Sequence, residues 1–460
     1  MRWDICIYGT VCCLSKGEMR NMSKKRLSRR GFLKRTASTI AGTVAFPYIV
    51  SSSALGADGK AAPSNRITLG FIGIGNHGGG VDMPNFLGND EDSQIIAVCD
   101  VNKNNRKAAQ EKVDNWYKQK GCAGYNDIRE LIGRADIDAV AIVSPDHWHV
   151  LHAVWAARAG KDVYLEKPMG LSIEQDKILR DTIKRYDRVF QFGPEQRQLH
   201  DCRFACELVR NGRIGKLHTI KVGSPASISS PNYPPMPVPD WLDYEMWLGP
   251  APWAPYTANR IKSSHWFHIS DYALGYIAGW GIHHIDLAHW GAGFNQTGPV
   301  EIEGTGVYPQ DGLCDCATSW DVNLTYPNGV KMSYASIDKN KIGVRFEGDE
   351  GWVHAHFSGS FGSALEGHPK SILKSVIAPD EVHLPAVKSL ERNFLDCVKT
   401  RQQTVCPIEA AVRSDTVCHL SDIAMRLGRK LRWDPVKEHF VNDDQANRML
   451  CRAMRSPWSL

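Results

Sequence analysis

The chain has 460 residues, enough for two ordinary domains with cores of their own. Its 43% hydrophobic and 23% charged residues describe a water-soluble globular protein. The net charge of +5 comes from residues 1–57, which hold 10 Lys/Arg against 2 Asp/Glu, so the body gives no reason to expect a nucleic-acid partner.

Those first 57 residues read as a leader. Lys24, Lys25, Arg26, Arg29 and Arg30 form a basic segment, 36–50 is a modest apolar stretch, and small residues follow, with cleavage expected after Ala54 or Ala57. The apolar stretch is too short to cross a bilayer, so no membrane span is expected once the leader is removed. Ser28-Arg29-Arg30-Gly31-Phe32-Leu33-Lys34 resembles the twin-arginine export signal. The resemblance implies export in the folded state, to the periplasm or cell envelope. Met19 or Met22 is the expected translation start, which sets residues 1–21 aside. Three of the thirteen cysteines fall in that prefix. The other ten include no CxxC pair, so no zinc site is expected, most should be buried thiols, and no disulfide partners can be named.

Apolar runs at 67–72, 94–98, 139–143, 162–165 and 189–192 predict strands, with helices between them at 103–118, 128–131, 150–159 and 174–186. This alternation predicts a doubly wound parallel sheet over residues 65–195. After a helix at 203–209 the pattern changes. Strand-like runs at 217–222, 300–307, 318–324, 330–336, 342–346 and 352–357 dominate, and Asn328-Gly329 marks a hairpin turn. Nine prolines in 225–255 make that stretch an ordered loop. Helices are expected at 384–399 and 410–427. The fold reading is α/β: an N-terminal Rossmann domain, then an α+β domain at 196–435 with a mostly antiparallel open sheet. A tail at 436–460 docks on the body or on a neighbour.

Gly73, Gly75 and Gly78 have the G-x-G-x-x-G spacing, after a strand and with Asp100 ending the next one. In that context they predict a dinucleotide site. Gly73 permits the turn, Gly75 lets the pyrophosphate approach, Gly78 packs helix on strand, and Asn76 and His77 complete the loop. Asp100 would accept the ribose hydroxyls, which favours NAD over NADP. Ser144, Pro145 and His149 end the fourth strand, where the nicotinamide would lie. His147, His149 and His152 have no carboxylate or Cys at ligand spacing, so no metal is expected. Glu166 and Lys167 emerge at the same edge. A lysine there, with its pKa lowered by burial and by the nicotinamide charge, can handle a hydroxyl proton.

"GFIGIGNHG", "VCDVN", "DAVAIVSPDHWH", "EKPMG", "FGPEQR", "NGRIGKL" and "WGIHHIDLAHW" together resemble the Gfo/Idh/MocA oxidoreductases, over residues 65–435. The resemblance implies a sugar or polyol substrate and a catalytic role for Lys167. Its second motif, D-x-x-x-H-x-x-D, falls on His283 and Asp286, but its first acid falls on Gly279. His283 would act as general acid/base or orient the reacting hydroxyl; from the residues alone it reads equally as a core histidine. Arg197, Trp280, His284 and Asp286 join Lys167 and His283 as expected substrate contacts, and Gln196 shares the Arg197 segment. The family's sheet face implies a homo-oligomer, dimer or tetramer. Six tryptophans between 241 and 290, with Arg260, His265, His268 and Asp271, suit a sugar ring or a structural brace.

Export of a folded Rossmann protein implies a cofactor carried along, bound tightly and restored at each turnover. An oxidoreductase with a redox-neutral cycle meets that requirement. So does an NAD-dependent glycoside hydrolase working by transient C3 oxidation and elimination. A plain NAD-dependent dehydrogenase fits export poorly. A non-catalytic carbohydrate-binding protein is the reading from another class.

Overall fold

The computed structural model describes residues 65–357 and 363–460. The expected leader, with the segment that resembles a twin-arginine signal and the expected start, lies outside them.

β1 (Ile67–Ile72), β2 (Ser93–Cys99), β3 (Ala123–Tyr125), β4 (Ala139–Ile142), β5 (Asp162–Leu165) and β6 (Phe190–Phe192) form one sheet in the order β3-β2-β1-β4-β5-β6. Every pairing is parallel. Parallel strands are covered on both faces, which is why these segments read as unbroken apolar runs: β4 and β5 are buried at every position. Helices α1 (Lys103–Tyr117), α2 (Asp146–Arg158) and α3 (Ile173–Arg185) make the crossovers. Asn102 caps α1 by accepting from the Asn104 and Asn105 amides, and Ser172 caps α3. The strand order reverses between β1 and β4, and their carboxyl ends open a crevice there.

The second sheet has nine strands. β7 (Leu217–Ser224), β8 (Glu301–Val307), β9 (Ser319–Thr325), β10 (Lys331–Ser336), β11 (Gly343–Gly348), β12 (Gly351–Phe357), β13 (Ser363–His368), β14 (Leu431–Asp434) and β15 (His439–Phe440) run in the order β13-β12-β11-β7-β10-β9-β8-β14-β15. All neighbours are antiparallel except β7 and β10. Trp320, Val322 and Leu324 of β9 are buried, with less buried residues between them. Helices α4 (His200–Arg210), α5 (Gly281–Ala292), α6 (Leu390–Thr400) and α7 (Ile408–Leu427) complete this half. Gly329, at φ +85, makes the expected hairpin turn between β9 and β10.

Two departures from the sequence reading have physical causes. The helix expected from 384 begins at Leu390, because Ser389 caps it by accepting from the Arg392 amide. β3, β14 and β15 are two to four residues long, too short for a period to register. Residues 436–460 lie against the body. Arg455 Nε donates to the Gly249 and Ala251 carbonyls at 3.0 and 3.1 Å, and the Trp458 ring stands 5.0 Å from Trp148.

Among the described residues nine cysteines are buried, Cys451 is exposed, and none is in a disulfide.

Candidate active site

The crevice opens into a cavity of about 1210 Å³ between the two sheets' domains. Gly73 has φ +86, and a Cβ on it would stand 2.5 Å from the Ser144 nitrogen at the end of β4. A Cβ on Gly78 would meet the Gly73 carbonyl at 2.1 Å. Around Gly75 nothing lies within 4 Å of that position, which leaves open room beside the backbone. Asp100 ties the loop down: Oδ2 accepts from the Ile74 amide at 2.6 Å and Oδ1 from the Asn102 amide at 2.7 Å. Asn76, His77, Ser144 and Pro145 line the same space. A tight turn, an open glycine and an acid on the next strand are what a dinucleotide's pyrophosphate and ribose require, so these residues fit the cofactor.

A row of charged groups continues from the loop. His77 Nε2 stands 3.5 Å from Asp82 Oδ2 and 3.6 Å from Glu166 Oε2, and Lys167 Nζ is 3.9 Å from Glu166 Oε2. Burial pushes the Glu166 carboxyl up, but the His77 hydrogen bond and the charges of His77 and Lys167 outweigh it and leave it below its usual range. Burial, then the Glu166 charge, drives Asp82 well up. His149 donates from Nδ1 to the Pro168 carbonyl at 2.6 Å and so fixes the bend that carries Lys167. Two groups, His77/Asp82/Glu166 and Asp176/Asp415/His419, come close enough to surround a cation; the imidazole is the only basic side chain in each.

From the other side, α5 presents His283. Its Nδ1 bonds Gln196 Oε1 at 3.0 Å, which puts the proton on Nδ1 and makes Nε2 the basic nitrogen. Burial, then the Lys167 charge, holds His283 well below the usual imidazole range, so it is neutral at pH 7. Trp280 and Gly279 also line the cavity.

Arg197, His284 and Asp286 do not line the cavity, which corrects their expected contact with substrate. Arg197 donates from Nε and Nη2 to Asp286 at 2.7 and 2.6 Å and from Nη1 to the Val405 carbonyl at 2.8 Å. Ser414 Oγ completes the Asp286 shell at 3.1 Å. His284 is fully buried in α5. These three belong to the packing behind the site. Arg260, His265, His268 and Asp271 are also absent from the cavity wall, and Arg260 Nη1 donates to Tyr272 Oη at 3.2 Å.

The proline-rich loop forms the far wall. Trp247, Trp266 and Trp280 face the cavity, whereas Trp253 is 67% exposed and Trp290 packs under Arg197. Trp266 stacks on Phe267 at 3.8 Å between ring centres. The loop is pinned to the start of α1: the Lys103 amide donates to the Trp241 carbonyl at 2.8 Å and the Asp243 amide to the Val101 carbonyl at 3.1 Å. Asn126 Nδ2 donates to Asp243 Oδ2 at 2.8 Å. The cavity lining also includes Tyr276, one of the groups that the sequence offers in place of the acid missing at Gly279, and Glu195, Lys262 and Phe267, which the sequence reading did not assign. Of these, Glu195 could have been found, since it lies within "FGPEQR" one residue before Gln196.

A Rossmann domain with a glycine loop and a lysine at a strand end defines a dinucleotide-dependent enzyme site. Residues 67–193 match the NAD-binding Rossmann fold of the Gfo/Idh/MocA oxidoreductases, and residues 227–460 match that family's C-terminal α/β domain. The chain belongs to the Gfo/Idh/MocA oxidoreductase family. A glycosyl hydrolase family 109 protein of Shewanella amazonensis is 29% identical over 208 residues, 42% of this chain and 44% of that protein. A 2,7-anhydro-N-acetylneuraminate hydratase of Mediterraneibacter gnavus is 28% identical over 151 residues, 33% of this chain and 38% of that protein. The matches thus span less than half of these relatives. Aldose-aldose oxidoreductase of Caulobacter crescentus shares the fold, with a TM-score of 0.59 and 20% identity over 80% of this chain and 99% of that one.

Proposed function

We propose that the protein oxidises a ring carbinol of a sugar or glycoside using a dinucleotide that it keeps bound, and restores the hydride before product leaves. NAD, when bound, supplies the hydride acceptor and donor. Lys167 takes the proton of the reacting hydroxyl and later returns it. Glu166, ionised beside it, steadies the ammonium form. His283, neutral and basic at Nε2, lies on the opposite wall and orients the substrate or takes a second proton. Trp247, Trp266 and Trp280 offer flat apolar faces to the sugar ring.

The observation that carries this reading is the pinned loop. A segment of the C-terminal domain is bonded over the strand end that carries Asp100, where the adenosine ribose would sit. A cofactor beneath it leaves slowly, which suits a closed redox cycle and export by the twin-arginine route. Asp100 favours NAD over NADP, because a carboxylate accepts from ribose hydroxyls and repels a 2′-phosphate. The test is to purify the mature protein without added nucleotide, denature it, and identify the released dinucleotide by mass spectrometry. About one NAD per chain is expected; an empty protein that binds NAD weakly would end the closed-cycle reading.

A second reading has specific support. The curated relatives are named glycosyl hydrolases and a hydratase. Lys167, His283 and Glu195 line one cavity, whereas hydride transfer alone needs one proton acceptor. Oxidation followed by elimination, water addition and reduction uses all three. Release of sugar from a glycoside without added NAD would favour it over simple oxidation. Sugar binding with no turnover on any carbohydrate would favour a binding protein instead.

A further inference from the structure

The family motif supplies a carboxylate at the position of Gly279, and this chain has none there. Crowding is not the reason: a Cβ on Gly279 would have only ring carbons of Tyr276 and Phe267 near it, at 3.7 and 3.9 Å. The cavity nevertheless has a carboxyl on its wall, delivered from another element. Glu195 begins the turn Glu195–Gln198 that follows β6. Two residues before it, Gly193 lies so near Glu166 that a Cβ would stand 2.3 Å from Oε1. One residue after it, Gln196 bonds His283. Glu195 is therefore framed between the Glu166-Lys167 edge and His283, and it lines the cavity with both.

We propose that Glu195 is the catalytic acid that protonates the departing glycosidic oxygen, in place of the carboxylate missing at Gly279. This rests on the proposed oxidation of the ring carbinol and makes elimination the step that follows it. Two carboxyls of one site are driven in opposite directions: Glu166 downward, and Glu195 upward by burial and by the Glu166 charge. Such a split separates the charge-stabilising group from the proton donor. His283 enters the step neutral with its basic nitrogen at Nε2, which suits it to take the C2 proton and leaves the donor's place to Glu195.

From the C3 ketone the atoms balance as follows. The C2–H bond breaks and its proton goes to His283 Nε2. The electron pair forms the C1–C2 double bond, and the C1–O bond breaks. The departing oxygen takes the Glu195 proton. Water then adds across the double bond: its oxygen bonds C1, its proton goes to the Glu195 carboxylate, and His283 returns its proton to C2. The ketone is afterwards reduced by the stored hydride. The sum is hydrolysis of one glycosidic bond.

The test compares wild type, Glu195→Gln and Glu195→Asp on methyl glycosides and on nitrophenyl glycosides, in deuterated water and with no added nucleotide. Aglycone release and deuterium entry at C2 are both measured. Loss of a general acid costs about a hundred- to ten-thousand-fold. We expect that loss for Glu195→Gln on methyl glycosides and little loss on nitrophenyl ones, whose leaving groups need no proton. Deuterium entry should persist, and Glu195→Asp should recover part of the methyl glycoside rate. An equal fall on both substrates, or none, overturns the assignment. Wild type that exchanges C2 but frees no aglycone overturns it while keeping the oxidation. Neither exchange nor release overturns both.

Discussion

In the proposed function His283 and Lys167 divide the proton handling of the site between two kinds of base, and single substitutions separate them. Lys167→Met is expected to lower turnover about a hundred- to ten-thousand-fold while the protein still carries its dinucleotide, seen by mass spectrometry after denaturation. His283 has a pH signature. Its folded-state pKa is held well below the ordinary value near 6.5. The unfolded chain therefore binds a proton below about pH 6.5 that the folded protein refuses, and stability falls as pH drops through that value. His283→Asn should flatten the acid side of a melting-temperature profile. Arg197 and Asp286, fully buried and doubly bonded to each other, contribute differently. Arg197→Met leaves an unpaired buried carboxylate and should cost about 3–5 kcal/mol in a denaturant titration. The motif spacing in the sequence identified His283 and Asp286 but not the direction each one faces. Every residue from Gly281 to Gly291 is buried, so polarity around α5 cannot distinguish its cavity side from its core side. For that reason His284 and Asp286 looked like substrate contacts, and Arg197 did so because its segment resembles one that the family places between the domains.

Between elements, the joint of α3 and α7 holds a buried trio. His419 Nε2 lies 3.2 Å from Asp415 Oδ2 and 3.5 Å from Asp176 Oδ2. Burial pulls the imidazole down, yet the adjacent carboxyl groups of Asp176 and Asp415 lift it to about 9. Burial, then the Asp415 charge, pushes Asp176 well up. Because the folded pKa of His419 lies above 6.5, its stabilisation is complete below about pH 6.5 and is lost as pH rises through about 9. The melting temperature should fall over that interval, and His419→Gln should be destabilised by about 3–5 kcal/mol at pH 7. Dialysis against a chelator should change neither result, since the imidazolium supplies the positive charge. A melting temperature lowered by the chelator would instead mark the trio as a cation site. The sequence concealed this joint because α7 is buried over most of its length and its polar residues have no exposed face to mark. The strands that were legible were those with an apolar run or a sustained alternation, including β4, β5 and β6 at three or four residues, whereas β13, six residues with none buried, showed neither.

At the scale of the molecule, the two domains line one cleft, and in the proposed function the loop around Asp243 sets how long a ligand stays. Asp243 Oδ1 caps the short helix Tyr244–Leu248 by accepting from the Met246 amide at 3.0 Å, while Oδ2 holds Asn126. Asp243→Ala removes both bonds. It should speed dinucleotide loss on gel filtration about tenfold or more, and cost about 1 kcal/mol for the missing cap. Local sequence revealed the glycine loop and the lysine edge, because a phosphate cradle needs fixed spacings. It could not reveal the closure, since residues 101–103 and 241–243 meet only through the folded chain.

The packing of Trp458 on Trp148 and Trp155 also sets an order in time. The ribosome makes α2, with both indoles, long before it makes residue 458. Until then those rings lack that cover, and the bend at 249–251 lacks the arginine that grips it. That part of the molecule is therefore complete only after residues 455–458 have been made.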